Sequence, residues 1–176
     1  MILAHYERET DKKQSLEEHS FNVASKAKED ASIIGQGDVL FLLGLYHDLG
    51  KADQLFQKKL KEKPSLHVDH SYAGAKYLYN KIQMQLSTKG VDKAARIQFN
   101  DITAYVISAH HGMFDIFDKD SEQFQYNKLR NRIAREMLDY HFDSDVKNFA
   151  HLLEPKLEQY GYQNLEILID KSFENY

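Results

Sequence analysis

The side chains with the most chemistry in them are histidines, and their spacing is uneven. His47-Asp48 ends the apolar run Val39-Leu40-Phe41-Leu42-Leu43-Gly44-Leu45-Tyr46, and Gly50-Lys51 closes it. His110-His111-Gly112 ends a second apolar run, over residues 102–109, in the same way. His19 falls inside a helical pattern, and His70 lies just ahead of another. A ligating or charged group at the end of a buried run is costly unless something pairs with it. Neutral imidazole and carboxylate are both good ligands for divalent first-row metals. The candidate ligand set is His19, His47, Asp48, His70, His110 and His111.

A lone histidine on an apolar helix face is more often a hydrogen-bonded core residue than a ligand. The joint pattern argues otherwise, because separate helices each deliver a histidine to an interior face or to a terminus beside glycine, twice as a doublet. The set exceeds the three protein ligands that an open catalytic zinc often uses. It suits two ions, bridged by the two oxygens of Asp48 at a separation of about 3.5–4 Å. Imidazole-rich ligation favours Mn, Fe, Co, Ni or Zn over Mg or Ca. Two such ions activate water and clamp the entering and leaving oxygens of a phosphodiester, so phosphoryl-ester hydrolysis is the chemistry this set does best. Asp48 and Lys51 are the expected catalytic residues. Lys51, three residues after Asp48 on a continuing helical turn, is placed to steady a phosphate or protonate the leaving oxygen. It is equally suited to being a cation held at a helix C-terminus by the dipole.

The elements that must position these groups read as helices. Ser15 with Glu18 forms a capping box opening a helix over 15–34, with Leu16, His19, Val23, Ala27 and Ile34 on one face and Gly35 and Gly37 as the stop. Asp38 is the expected N-cap of a second helix over 39–48, apolar nearly all round and therefore central. A short helix over 52–61 turns Leu55, Phe56 and Leu60 inward. Asp69 or Ser71 caps the next, over 71–86, with His70 at its mouth. Residues 87–93 read as a polar connector, 102–111 as a helix and 113–120 as a loop. Three further helices follow by apolar spacing, over 121–141, 145–159 and 163–174, and Lys128, Arg130, Arg132 and Arg135 lie on the first. No segment alternates with period two and no hairpin turn stands out. The expected fold is all-α, a single domain over 1–176 with its metal site at helix ends in the core.

Length and composition fit that expectation. A chain of 176 residues buries a substantial core. With no cysteine, there is no disulfide framework, thiolate metal site or cysteine nucleophile. No run approaches the roughly 20 apolar residues of a membrane span, and the N-terminal apolar stretch is too short for a signal peptide. A cytoplasmic protein with no membrane partner is the expectation. The net charge of −4 argues against a protein that coats polyanions, although bound divalent ions would invert the charge of a local site. The lysine run Lys58-Lys59-Leu60-Lys61 reads either as a solvated surface or as a phosphate-contacting edge.

These motifs, in this order, resemble the HD phosphohydrolase superfamily. The carriers are His19, His47-Asp48-Leu49-Gly50-Lys51, His70-Ser71 and His110-His111-Gly112. With Glu18-His19-Ser20 near the start, the double histidine and the opening Ala4-His5, they resemble in particular the HD nuclease domain of the CRISPR-associated helicase-nuclease of type I systems, over residues 2–116. The resemblance implies an HD helical fold and metal-dependent cleavage of single-stranded DNA. It also implies a superfamily-2 helicase, fused or separate, and a crRNA-guided surveillance complex as partners. Carried over, one ion takes His19, His47 and Asp48, and a second takes Asp48, His70, His110 and His111, with Lys51 flanking. The family pattern also has an aspartate on a late helix. Either Asp170 fills that place in a poor context, or a residue beyond Tyr176 does, in a chain truncated at its C-terminal end. Two other readings stand beside the nuclease. One is an HD phosphohydrolase acting on nucleotides or cyclic nucleotides. The other is a non-catalytic HD module that docks a partner.

Overall fold

The computed structural model describes residues 1–62, 65, 68, 70–113, 128–134 and 144–176. Most of the expected 113–120 loop and the greater part of the expected 121–141 helix lie outside the described residues, as do Arg135, Asp69 and the side chain of Arg132.

The chain opens on a feature the sequence reading lacks, an antiparallel hairpin of β1 (Leu3–Glu7) and β2 (Lys12–Ser15). Asp11 takes a left-handed φ of 53° in its turn, a conformation that aspartate tolerates better than most residues. The two strands are only five and four residues long, and Lys12-Lys13-Gln14-Ser15 has no apolar face. Period-two alternation therefore has nothing to register. Leu3 and Ala4 are buried beneath the helices, which ties the hairpin down.

Ser15 ends β2 and caps α1 (Leu16–Ser32), its Oγ accepting from the Glu18 N–H at 3.1 Å. The helix stops before Ile34, which is 73% exposed, so the inward face is Leu16, Ser20, Phe21, Ala24 and Ala31. Helix α2 (Gly37–Tyr46) starts one residue before the expected cap. Asp38 sits inside its first turn, where it accepts from Tyr162 and Asn175. The side chains of Phe41, Leu42, Leu45 and Tyr46 are fully buried, so α2 is the central helix. A 3-10 turn (Leu49–Ala52) follows, and Asp53 then caps α3 (Gln54–Lys61), accepting from the N–H groups of Leu55 and Phe56. Phe56 is buried, whereas Leu55 is 39% exposed.

Helices α4 (Ser71–Thr88) and α5 (Lys93–Ser108) pack against each other through Leu78, Ile82, Leu86, Phe99 and Ile107. His70 occupies the N-cap position of α4 without a side-chain cap bond. Helix α5 begins nine residues earlier than the apolar run suggests, because Asp92 caps it by accepting from the Ala94 and Ala95 N–H groups. Then come α6 (Lys128–Ala134), α7 (Ser144–Leu153), a 3-10 helix (Glu154–Tyr160) and α8 (Leu165–Glu174). Pro155 sits at the start of the 3-10 segment. Having no N–H, it cannot donate within a continuing α-helix, which splits the expected 145–159 helix in two. Helix α8 lies on α2, with the Ser172 Oγ donating to the Asp38 carbonyl. Apart from the small hairpin the described fold is helical, as expected. No helix among the described residues is long and apolar enough to cross a membrane.

Candidate metal centre

Four helix ends converge at the C-terminal end of α2. The C-cap of α2 is His47, and Asp48 is the N-cap of the 3-10 turn, so the two side chains stand at the junction of two elements. His70 arrives at the mouth of α4, His110 and His111 just past the end of α5, and His19 from the first turns of α1. Two glycines permit the approach. A Cβ on Gly74 would stand 1.9 Å from the Tyr46 carbonyl oxygen, and one on Gly50 would stand 2.2 Å from that of His70. Gly50 lets the 3-10 turn meet the mouth of α4, and Gly74 lets α4 meet the end of α2, because neither carries a side chain.

Asp48 is at the middle. Its Oδ2 lies 2.9 Å from His19 Nε2, 3.0 Å from His47 Nε2 and 2.8 Å from Lys51 Nζ. Its Oδ1 faces the other way, 3.4 Å from His70 Nε2 and 3.3 Å from His110 Nε2. These last two approaches are in the range of charge attraction but are not aligned as hydrogen bonds. Oδ1 and His110 Nε2 are both buried and unpartnered. His111 Nε2 is 2.7 Å from His70 Nε2. The ligating atoms fall into two groups, each compact enough to surround one ion: His19, His47 and Asp48, and Asp48, His70, His110 and His111. Thus the structure brings all six expected ligand residues together, along with Lys51. Asp170 lies apart, accepting from Gln85 and paired with Lys89 at 2.9 Å.

Two of the rings are fixed from behind. His47 Nδ1 is 2.7 Å from the Gly44 carbonyl oxygen, and His110 Nδ1 is 2.6 Å from that of Ile107. A carbonyl only accepts, so each Nδ1 donates. In the neutral ring, Nε2 then presents its lone pair to the cluster. Burial by itself would raise the Asp48 carboxyl; the imidazoles of His110, His19, His47 and His70 outweigh it and hold the group well below the usual carboxylate range. Burial also pulls His110 down, but Asp48 and the Ile107 carbonyl leave it raised overall. His111 is lowered by burial, then by its neighbours His110 and His70.

The donor set fits divalent transition ions. An orphaned buried carboxylate oxygen facing an orphaned ring nitrogen is an arrangement proteins avoid unless something satisfies both, and a cation does so. His5 is a neighbour that the residue-by-residue reading did not single out as a site residue. Its ring meets that of His19 edge-on, with centroids 4.9 Å apart. It comes from β1, the element whose alternation was too short to register, and no ligand-like spacing marks it in the sequence.

A family model for the HD domain matches residues 16–160, from the start of α1 to the end of the second 3-10 segment. No match was found among curated proteins or among solved structures. HD domains are metal-dependent hydrolases with histidine and aspartate ligands, which agrees with the cluster around Asp48. The match spans most of the chain and includes every helix that contributes to the cluster, and the chain belongs to the HD-domain family.

Proposed function

We propose that this protein is a metal-dependent nuclease that hydrolyses phosphodiester bonds of single-stranded DNA. In this reading it serves type I CRISPR interference beside a superfamily-2 helicase and a crRNA-guided surveillance complex. The observation that supports it most is the division of labour at Asp48, whose two oxygens face two separate groups of imidazoles. His19, His47 and Asp48 would hold one divalent ion, and Asp48, His70, His110 and His111 a second. The imidazole-rich set suits Mn, Fe, Co, Ni or Zn better than Mg. When bound, such ions supply Lewis acidity at the phosphoryl group and lower the pKa of water.

The chain's own residues do the rest. Asp48 is the one carboxylate shared by both groups, so the loaded site is strongly positive and attracts a polyanion. The Lys51 ammonium, bonded to Asp48 Oδ2 and only 5% exposed, keeps that carboxylate oriented and offers a proton at Nζ to the departing oxygen. His47 and His110 keep their Nε2 atoms aimed inward through their bonds to Gly44 and Ile107. His111 is the one exposed member of the cluster, so it is the ligand that solvent and substrate reach first.

The test is cleavage of a labelled single-stranded oligonucleotide with added Mn, Ni or Co. The wild type cuts, and Asp48→Ala, which removes the shared ligand, loses activity by a factor of at least about 10³. Equal cutting by both proteins would contradict the assignment. Turnover of nucleoside triphosphates or cyclic nucleotides, with none of DNA, would place the protein among the nucleotide-directed HD phosphohydrolases.

A further inference from the structure

Helix α3 is held on three sides. Gln57 accepts from the Leu3 N–H at 3.0 Å and donates to the carbonyls of Leu3 and Lys51 at 2.8 and 2.7 Å. Arg8 donates to the Leu60 carbonyl at 3.0 Å. Asp53 caps the first turn. These bonds lock α3 to the hairpin and to the 3-10 turn that carries Lys51. The buried Phe56 of α3 meets the His70 ring edge-on, with centroids 4.7 Å apart. The Lys51 ammonium is 5.8 Å from the Phe56 ring centroid, and the Lys59 ammonium is 5.5 Å from it. Both are within the roughly 6 Å reach of a cation–π contact. The same ring is therefore shared by an ammonium bound to Asp48 and by a second ammonium that has no ion pair to a described carboxylate.

Lysines in the last turn of a helix are also favoured by its dipole, and Lys58 and Lys61 are accounted for in that way. Lys59 differs from both. It is half-buried and laid over Phe56, whereas Lys58 and Lys61 are exposed. Its position is thus set relative to the cluster, not left to solvent.

We propose that Lys59 contacts a phosphate next to the scissile one, so that the site prefers a polynucleotide to a substrate with a single phosphodiester. This rests on the nuclease reading above. An ammonium anchored over a buried ring costs less to order on binding than a free surface lysine, and a phosphate is its natural counter-ion. The residue acts on substrate seating and stands outside both groups of metal-ligating atoms.

The experiment compares wild type, Lys59→Gln and Lys59→Arg, each with Mn²⁺, on a 20-nucleotide single strand and on a dinucleoside monophosphate. For K59Q the KM on the 20-mer rises about tenfold while kcat holds, and the slope of log(kcat/KM) against log[salt] falls by about 0.7. On the dinucleotide the change is less than about twofold, and K59R restores the 20-mer KM to within about threefold of wild type. An equal loss on both substrates, or no loss on the 20-mer, overturns the assignment of Lys59. A wild type that hydrolyses neither substrate overturns the nuclease reading itself, and the Lys59 assignment with it. Melting temperatures of the three proteins within about 2 °C of one another confirm that the kinetic change does not come from unfolding.

Discussion

Asp48 is an acid with four imidazoles and an ammonium around it and no second carboxylate among the described residues of the cluster. That imbalance explains why its carboxyl is held so far below its ordinary range, and why metal loading should depend on it more than on any other side chain. The two groups of ligands share only Asp48. His111→Ala is therefore expected to reduce bound Mn²⁺ from two ions to one in a calorimetric titration while leaving the His19–His47 group able to bind. Loss of both ions in that variant would mean that the groups do not act separately. Protons compete with ions for the imidazoles. His111 is lowered by burial and by its histidine neighbours, so it stays neutral somewhat further into acid than an ordinary histidine of pKa about 6.5. His110, which Asp48 and the Ile107 carbonyl leave raised, takes a proton at higher pH than His111. The affinity of their group therefore falls as the pH drops, first through the His110 range and then through that of His111, and an affinity that rises on acidification would contradict imidazole ligation. At this scale the sequence was legible because doublets beside glycines are conspicuous. His5 was not, since a histidine on a short polar-edged strand has no periodicity to place it.

The helices owe their positions to caps and close approaches. The Ser15 cap and the apolar runs of α2 and α4 could be read from residue types alone. The true start of α5 had a signal too, in Asp92, but the run of polar residues around it outweighed the cap. Splitting of the 145–159 stretch followed from Pro155, and the β-hairpin from tertiary burial of Leu3 and Ala4, which local alternation cannot encode. Gly74 carries the tightest demand. Adding a methyl there puts a carbon 1.9 Å from the Tyr46 carbonyl oxygen, so α4 must move off the end of α2. Gly74→Ala is expected to destabilise the fold by about 1–3 kcal/mol in denaturant unfolding. A neutral or stabilising result would mean that the packing of α4 on α2 is looser than the structure has it. His70 sits at the N-cap of the same helix, so the variant should weaken metal binding at its group as well.

At the level of the whole molecule, the cluster joins α1, α2, α4 and α5 at one end of the fold, and ions bound there act as cross-links between elements distant in sequence. Linkage then makes stability depend on metal. Each ion, at a Mn²⁺ concentration of about 100 times its Kd, gives the folded state about 2.7 kcal/mol. For a chain of this size that raises the melting temperature by roughly 5–10 °C. Chelation with EDTA should reverse the shift, and a melting temperature indifferent to both would point to a scaffold that does not use metal. The HD-domain match over residues 16–160 leaves the hairpin outside it, although the hairpin supplies His5 to the rim of the cluster and braces α3. Substrate and partners lie beyond what a helical fold determines.

The most direct measurement is an anomalous-scattering map from crystals of the protein grown with Mn²⁺. Two peaks are expected about 3.5–4 Å apart on opposite sides of the Asp48 carboxylate, one within bonding distance of His19 and His47 and the other of His70, His110 and His111, and both vanish in Asp48→Ala. A map with no peak beside Asp48, or with peaks that persist in that variant, would contradict the account.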